Sequence, residues 1–264
     1  HSEVGSSYIH FNFTPDGDKT TPSLIGDVPR GVMLNQPAIF LGGQGGIVGP
    51  MRMGFGNVVA ANSVLRSDYP DDNRLIVGKT YSAKTINFKP GVYPSIRRIV
   101  ENNITYIANL MALEKWYVHV RRPFFDSEEF GELMFSGLVN KLGLAKKERI
   151  KRLQVLAEKA KKSVETEAKA KPDTSGKSEF FDRFSEIEGL FAGALQDDLV
   201  EKYRDDFLSA SDKAWSGDRS NYIAAVQGLP SHISGKGVTW LERIVQAYCE
   251  KTALLVPALR IFRR

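Results

Sequence analysis

The chain has 264 residues, of which 42% are hydrophobic and 25% charged, with a net charge of +5 at pH 7. That length and balance fit one large or two modest folded domains and exclude a disordered chain. The mild basic excess suits an anionic small ligand as well as nucleic acid. No apolar run approaches a membrane span; the longest candidate, Ala253 to Leu259, is short and holds Pro257. The single cysteine, Cys249, excludes an internal disulfide framework and reads as buried filler. With no signal-peptide pattern, the expected compartment is cytoplasmic. The chain starts at His1 without Met, which is expected of a piece of a longer protein.

The first 80 residues are rich in Gly, Val, Ile, Pro and Asn. Within them Leu41, Ile47, Met53, Val59 and Leu65 recur every six residues, and Gly42, Gly54 and Ala60 follow three of the five. Neither an amphipathic helix nor an alternating strand repeats at six. A hexapeptide parallel β-helix does, with one short strand and one corner per hexad. The aliphatic position then points inward, and small residues fit where walls approach.

From Ile96 the spacing becomes helical. Ile96, Ile99, Val100, Ile104, Ile107 and Met111 form the first stripe, continued by Leu113 and Trp116 and bounded by Pro94 and Pro123. Phe130, Leu133, Met134 and Leu138 form a second stripe, closed by Gly143. Ile150, Leu153, Leu156, Ala160 and Val164 form a third. Pro172 to Gly176 reads as a linker or exposed loop. Phe180, Phe184, Ile187 and Phe191 open a fourth helix, and others are expected over 199–215, 222–227 and 238–264. These stripes read as core rather than as a cofactor box. The basic residues after Lys146, among them Lys147, Arg149 and Lys151, are diluted by Glu148, Glu158 and Glu165 and lack interleaved aromatics. They read as a solvated face, so neither nucleic acid nor membrane is an expected partner.

The expected fold is therefore a short left-handed parallel β-helix over 1–80, a connector over 81–95 and a helical domain over 96–264. A stack of so few coils leaves open ends and apolar side chains. It calls for self-association, and a homotrimer is expected.

Three blocks resemble the acetyltransferase portion of the bifunctional N-acetylglucosamine-1-phosphate uridyltransferase / glucosamine-1-phosphate acetyltransferase family. The first is Val4-Gly5-Ser6-Ser7-Tyr8-Ile9-His10-Phe11-Asn12-Phe13 followed by Asp16-Gly17. The second is Ile25-Gly26-Asp27, and the third runs from Ile39 to Leu65. Asn73 to Lys79 is similar to the stretch that leaves the family's β-helix. The resemblance implies a sugar-nucleotide transferase of the UDP-N-acetylglucosamine pyrophosphorylase kind, with acetyl-CoA along the outside of the repeat between subunits of a trimer. It places Ser6, Asn12, Gly43, Ala61 and Lys79 at cofactor positions, with Gly43 in place of a serine and Lys79 in place of an arginine. It places Asn12, Phe13, Asp16 and Lys19 toward a sugar phosphate or nucleotide sugar.

Gly5, Gly42, Gly54 and Ala61 also read as coil-corner residues, and for the glycines that reading is favoured. Acetyl transfer needs a base to take the amine proton. The family's histidine would align about a dozen residues before His1, so no catalytic residue is assigned in this chain. His10 reads as a structural or loop histidine, and His119 and His232 have no partner pattern. Gly42 to Gly46 lacks the Lys-Ser/Thr that completes a phosphate loop. Residues 28–38 are an insertion relative to the family and read as a protruding loop that covers or replaces the cofactor groove. The helical region has no counterpart there either. A second reading is therefore a catalytically inactive scaffold for oligomerisation or regulation.

Overall fold

The computed structural model describes residues 9–10, 24–25, 27–47, 51–78, 83, 85, 89–126, 128–166, 174–215 and 221–263. Eight two-residue strands come first: β1 (Ile9–His10), β2 (Leu24–Ile25), β3 (Phe40–Leu41), β4 (Gly46–Ile47), β5 (Met51–Arg52), β6 (Val58–Val59), β7 (Val64–Leu65) and β8 (Leu75–Ile76). A short helix, α1 (Val28–Gly31), stands between β2 and β3. All strand pairs are parallel and fall into three small sheets, β1–β4–β7, β2–β5 and β3–β6–β8.

The expectation of a left-handed β-helix as the fold class is corrected here. The described residues are 65% helical, with only a few short strands in small parallel sheets among them. The physical reason lies in the numbers of side chains available. A two-residue strand turns one side chain inward, so the β region builds a core of only a few residues. Most of the chain's large apolar residues lie at helical spacing and build the main core elsewhere. The six-residue beat survives as a burial pattern. Ile47, Met53, Val59 and Leu65 are buried in one small cluster with Met51 and Ile76, and Leu41 packs against it.

The helices are α2 (Arg97–Trp116), α3 (Arg122–Phe125), α4 (Gly131–Thr166), α5 (Thr174–Asp182), α6 (Phe184–Ala192), α7 (Asp198–Ala214), α8 (Tyr222–Gln227) and α9 (Ser231–Leu255). Helix α2 forms as expected, burying Val100, Ile104, Ile107 and Met111 at spacings of three and four. It passes directly into a π-helical turn, Tyr117–Arg121. Helix α9 packs along both α2 and α7. Between them Phe207 is stacked on Trp116 and Trp240, with ring centroids 5.7 and 6.0 Å apart. Asp197 caps α7 by accepting from the Val200 N–H and also holds Arg243 of α9 at 2.5 Å. The Arg243 contact and the Val200 amide hold the Asp197 carboxyl below its ordinary range.

Expectations for the helices change at several points. Thr174 to Gly176, expected within a linker or exposed loop, open α5, and Gly176 is buried. Gly143 does not end a helix. Helix α4 runs through it, because a glycine in a helix interior costs only about 1 kcal/mol and its neighbours are good helix formers. The Phe130–Leu133–Met134 stripe is exposed, not core. The final helix stops at Leu255 before Pro257, which cannot supply the next N–H. The chain then turns back to bury Leu259 and Ile261.

Residues 28–38 do not protrude. Pro29 and Met33 are buried, and Met33 joins the helical core. Arg30 bridges in the other direction, pairing with Asp72 at 2.5 Å and lying over the Phe55 ring. The insertion thus fastens the small sheets to the helices.

Candidate functional site

Among the described residues, the large exposed apolar side chains of the β strands stand on the third sheet. Its register sets Phe40 opposite Val58 and Val58 opposite Leu75. Successive side chains of a strand point to opposite faces, so Leu41, Val59 and Ile76 go inward while their neighbours go outward. Phe40, Val58 and Leu75 are 56%, 42% and 71% exposed, and Val77, two residues after Leu75, is 69% exposed. The result is a continuous row of large apolar side chains across three strands. Each strand contributes one member, so hydropathy along any single strand does not reveal the row.

The corners that follow β3 and β6 stack beside this row. Gly43 and Ala61 both lie in turns and are exposed. The Asn62 N–H donates to the Gly43 carbonyl at 2.9 Å, which ties the two corners together. Gln44 and Asn62 each take a left-handed backbone conformation there, at φ 56° and 59°. Inside the corner, a Cβ on Gly42 would stand 2.5 Å from the Ala61 nitrogen, so only glycine fits. The two corners make a ledge of small residues, Gly43 and Ala61, flanked by the exposed Gln44 and Asn62. It can lie close against a flat ligand, but it brings no acid or base to it.

Of the residues assigned to acetyl-CoA, the structure brings Gly43 and Ala61 together. Ser6, Asn12 and Lys79 lie outside the described residues, as do Phe13, Asp16 and Lys19 of the sugar assignment. His10 is in β1, opposite Ile47. Cys249 packs against the helical core, and burial pushes its thiol up to about 11, which keeps it protonated at neutral pH.

A network at the start of β6, at the end of the strand away from these corners, was not legible from residue spacing. The buried Asn57 side chain donates to the Asp71 carbonyl at 2.9 Å and accepts from the Arg74 N–H at 2.7 Å. Asp72 accepts from the Phe55 N–H and from Arg30. The hydrogen bond from Arg30 is the main cause holding the Asp72 carboxyl below its ordinary range. This network fixes the loop between β7 and β8 and so the position of Leu75. Among the described residues no helix is long and apolar enough to cross a membrane. Comparison of the chain with family profiles, curated proteins and solved structures found no match to any of them.

Proposed function

We propose that this chain belongs to a sugar-nucleotide transferase and that its β region holds copies of the chain together through the Phe40–Val58–Leu75 row. The row is the observation that carries the reading. Burying a large aliphatic or aromatic side chain stabilises by about 1.5–3 kcal/mol, and here three stand in register on a face exposed among the described residues. A second copy is the occupant that fits the resemblance, which implies a trimer. The substrate class, a sugar phosphate or nucleotide sugar, rests on that same resemblance at Asn12-Phe13 and Asp16-Gly17.

Light scattering on the purified chain is expected to give an oligomer, with a trimer as the specific outcome. The double variant V58E/L75E is expected to give monomers with an unchanged helical circular-dichroism spectrum, because both side chains face out. A monomeric parent chain at high concentration would sink the self-association reading.

The Gly43–Ala61 ledge favours a second role, acyl-CoA binding between copies. Its small residues leave room for an extended pantetheine arm, and the ledge runs beside the apolar row. Calorimetry with acetyl-CoA is expected to show saturable binding. A61W, which fills the ledge, is expected to weaken it by about tenfold, or about 1.4 kcal/mol. Absence of heat, or equal affinity in A61W, would remove acetyl-CoA from this ledge.

A further inference from the structure

The start of α4 turns large apolar side chains to the surface. Phe130, just before the helix, and Leu133, Met134 and Leu144 within it are 59%, 73%, 45% and 53% exposed. The inner side of the same stretch is anchored. Phe135 packs on Phe125 with ring centroids 5.8 Å apart, and Arg122 lies over the Phe135 ring at 4.6 Å. At about 100° per residue, Leu133, Gly137 and Leu144 fall within about 40° of one another, on the side away from Phe135. They form one outer ridge about 16 Å long. Gly137 is a notch in that ridge, since an added Cβ would meet nothing within 4 Å. Glycine weakens a helix interior, and no close approach among the described residues calls for it here. The notch does let another helix come near.

A hollow of about 270 Å³ lies at the Leu133 end of the ridge. Phe125, Phe130 and Leu133 give it apolar walls, and Asp126, Glu128, Glu129 and Glu132 give it carboxylates. No lysine or arginine lines it among the described residues. Two arginines stand behind it and offset part of the charge. Arg122 pairs with Glu132 and, at 3.6 Å, with Asp126, and Arg121 lies over the Phe125 ring at 5.4 Å. Glu128 and Glu129 are exposed and form no salt bridge among the described residues, so the rim stays acidic. The chain as a whole carries +5, and this patch runs against that sign. The helix dipole accounts for Glu132 in the first turn, but it gives no reason for the exposed Phe130, Leu133 and Leu144 beside it.

We propose that this face docks a basic amphipathic helix of a partner protein, with a lysine or arginine side chain in the hollow and an apolar stripe on the Leu133–Leu144 ridge. The hollow is smaller than the roughly 300–1,000 Å³ of a small-molecule site, which suits one long side chain of a larger partner. The stem of that side chain lies against Phe130 and Leu133 while its cationic head meets Glu128 and Glu129. Carboxylates of this sign repel nucleic acid and an anionic bilayer alike. A ridge of about three turns is matched by about three turns of a partner helix, whose side chains at i, i+3, i+4 and i+7 enter its grooves. The face shares no residue with the Phe40–Val58–Leu75 row, so either surface can fail without the other.

The test follows the methionine methyl signals of the full chain by NMR. Met134 is exposed, whereas Met33, Met51, Met53 and Met111 are buried, and loss of one signal in M134L assigns it. The probe is a helical peptide of about fifteen residues, made of leucine and lysine at amphipathic spacing. Its controls are the same peptide with glutamate for lysine, and a scrambled peptide of equal composition. The Met134 signal is expected to move saturably with the leucine–lysine peptide alone, while the four buried methionines stay. E128Q/E129Q is expected to weaken binding by about fivefold, an effect that added salt removes. L133S/L144S is expected to weaken it by about tenfold. Both variants are expected to keep the parent helical circular dichroism, because all four side chains are exposed. A Met134 signal unmoved by millimolar peptide, moved equally by either control, or insensitive to either variant would overturn the proposal. A shift that follows the concentration of the chain itself would give the face to a second copy, and one produced only by lipid vesicles would give it to a membrane; both outcomes would also overturn it.

Discussion

Replacing Phe207 by alanine is expected to destabilise the helical region by about 4 kcal/mol. Phe207 is fully buried and stacked between Trp116 and Trp240, with Trp215 meeting it edge-on at 6.5 Å. Truncation removes the middle ring of this cluster, and two of the surrounding rings are held from closing the gap. Trp116 is tied to Tyr222 and Trp215 to Ala225 by hydrogen bonds from their indoles. Neither can follow without leaving its acceptor. The site also adjoins Gly237, where an added Cβ would stand 2.9 Å from the Phe207 ring, so α7 and α9 meet there at close range. Urea unfolding followed by far-UV circular dichroism measures the loss. A change below about 1 kcal/mol would mean that the three rings are not the packed centre described here.

Gly54→Ala is expected to unfasten the β region while leaving the helices folded. A Cβ at this position would stand 2.3 Å from the Asp71 carbonyl oxygen and 2.5 Å from its carbon. Those are backbone atoms, so no side chain can swing aside. The Asp71 carbonyl also accepts from Asn57, and its neighbour Asp72 holds Phe55 and Arg30. Moving Asp71 therefore disturbs the buried Asn57 network and the Arg30 bridge to α1 together. A local cost of about 3 kcal/mol follows, at the upper end for overpacking because the displaced atoms belong to a hydrogen-bonded loop. Hydrogen exchange is the measurement. Amides of β6 and the strands beside it should lose protection while α2 and α9 keep theirs. Gly137→Ala is the control: nothing lies within 4 Å of its added Cβ, and alanine there favours the helix by about 1 kcal/mol. Equal protection in Gly54→Ala and the parent chain would show that the close approach at Asp71 relaxes without cost.

Both substitutions concern residues whose importance spacing does not announce. Phe207 belongs to no strong stripe, and its two stacking partners lie on helices distant in sequence. Gly54 was legible as a small residue after an inward one, but the loop it abuts was not. The same holds for the functional surface. Gly43 and Ala61 were singled out through the resemblance, and the fold sets their corners side by side. The Phe40–Val58–Leu75 row appears only when strands eighteen and seventeen residues apart are laid in register.

The amino-acid sequence by itself determined the periodicities: inward aliphatics every six residues up to Leu65, helical stripes from Ile96, and the positions where Pro257 and the glycines constrain the backbone. These are local properties, set by side-chain direction and backbone sterics within a few residues. How much of the chain each periodicity governs was decided by the tertiary structure. Two-residue strands bury too little to make a β-helix the fold of the whole, so the helices took the main core. Residues 28–38, which read as a protruding loop, became the fastening between the two regions because Met33 finds an apolar core on one side and Arg30 a carboxylate on the other. Such choices depend on contacts between segments far apart in the chain, and the free energy of those contacts is not written in any one of them.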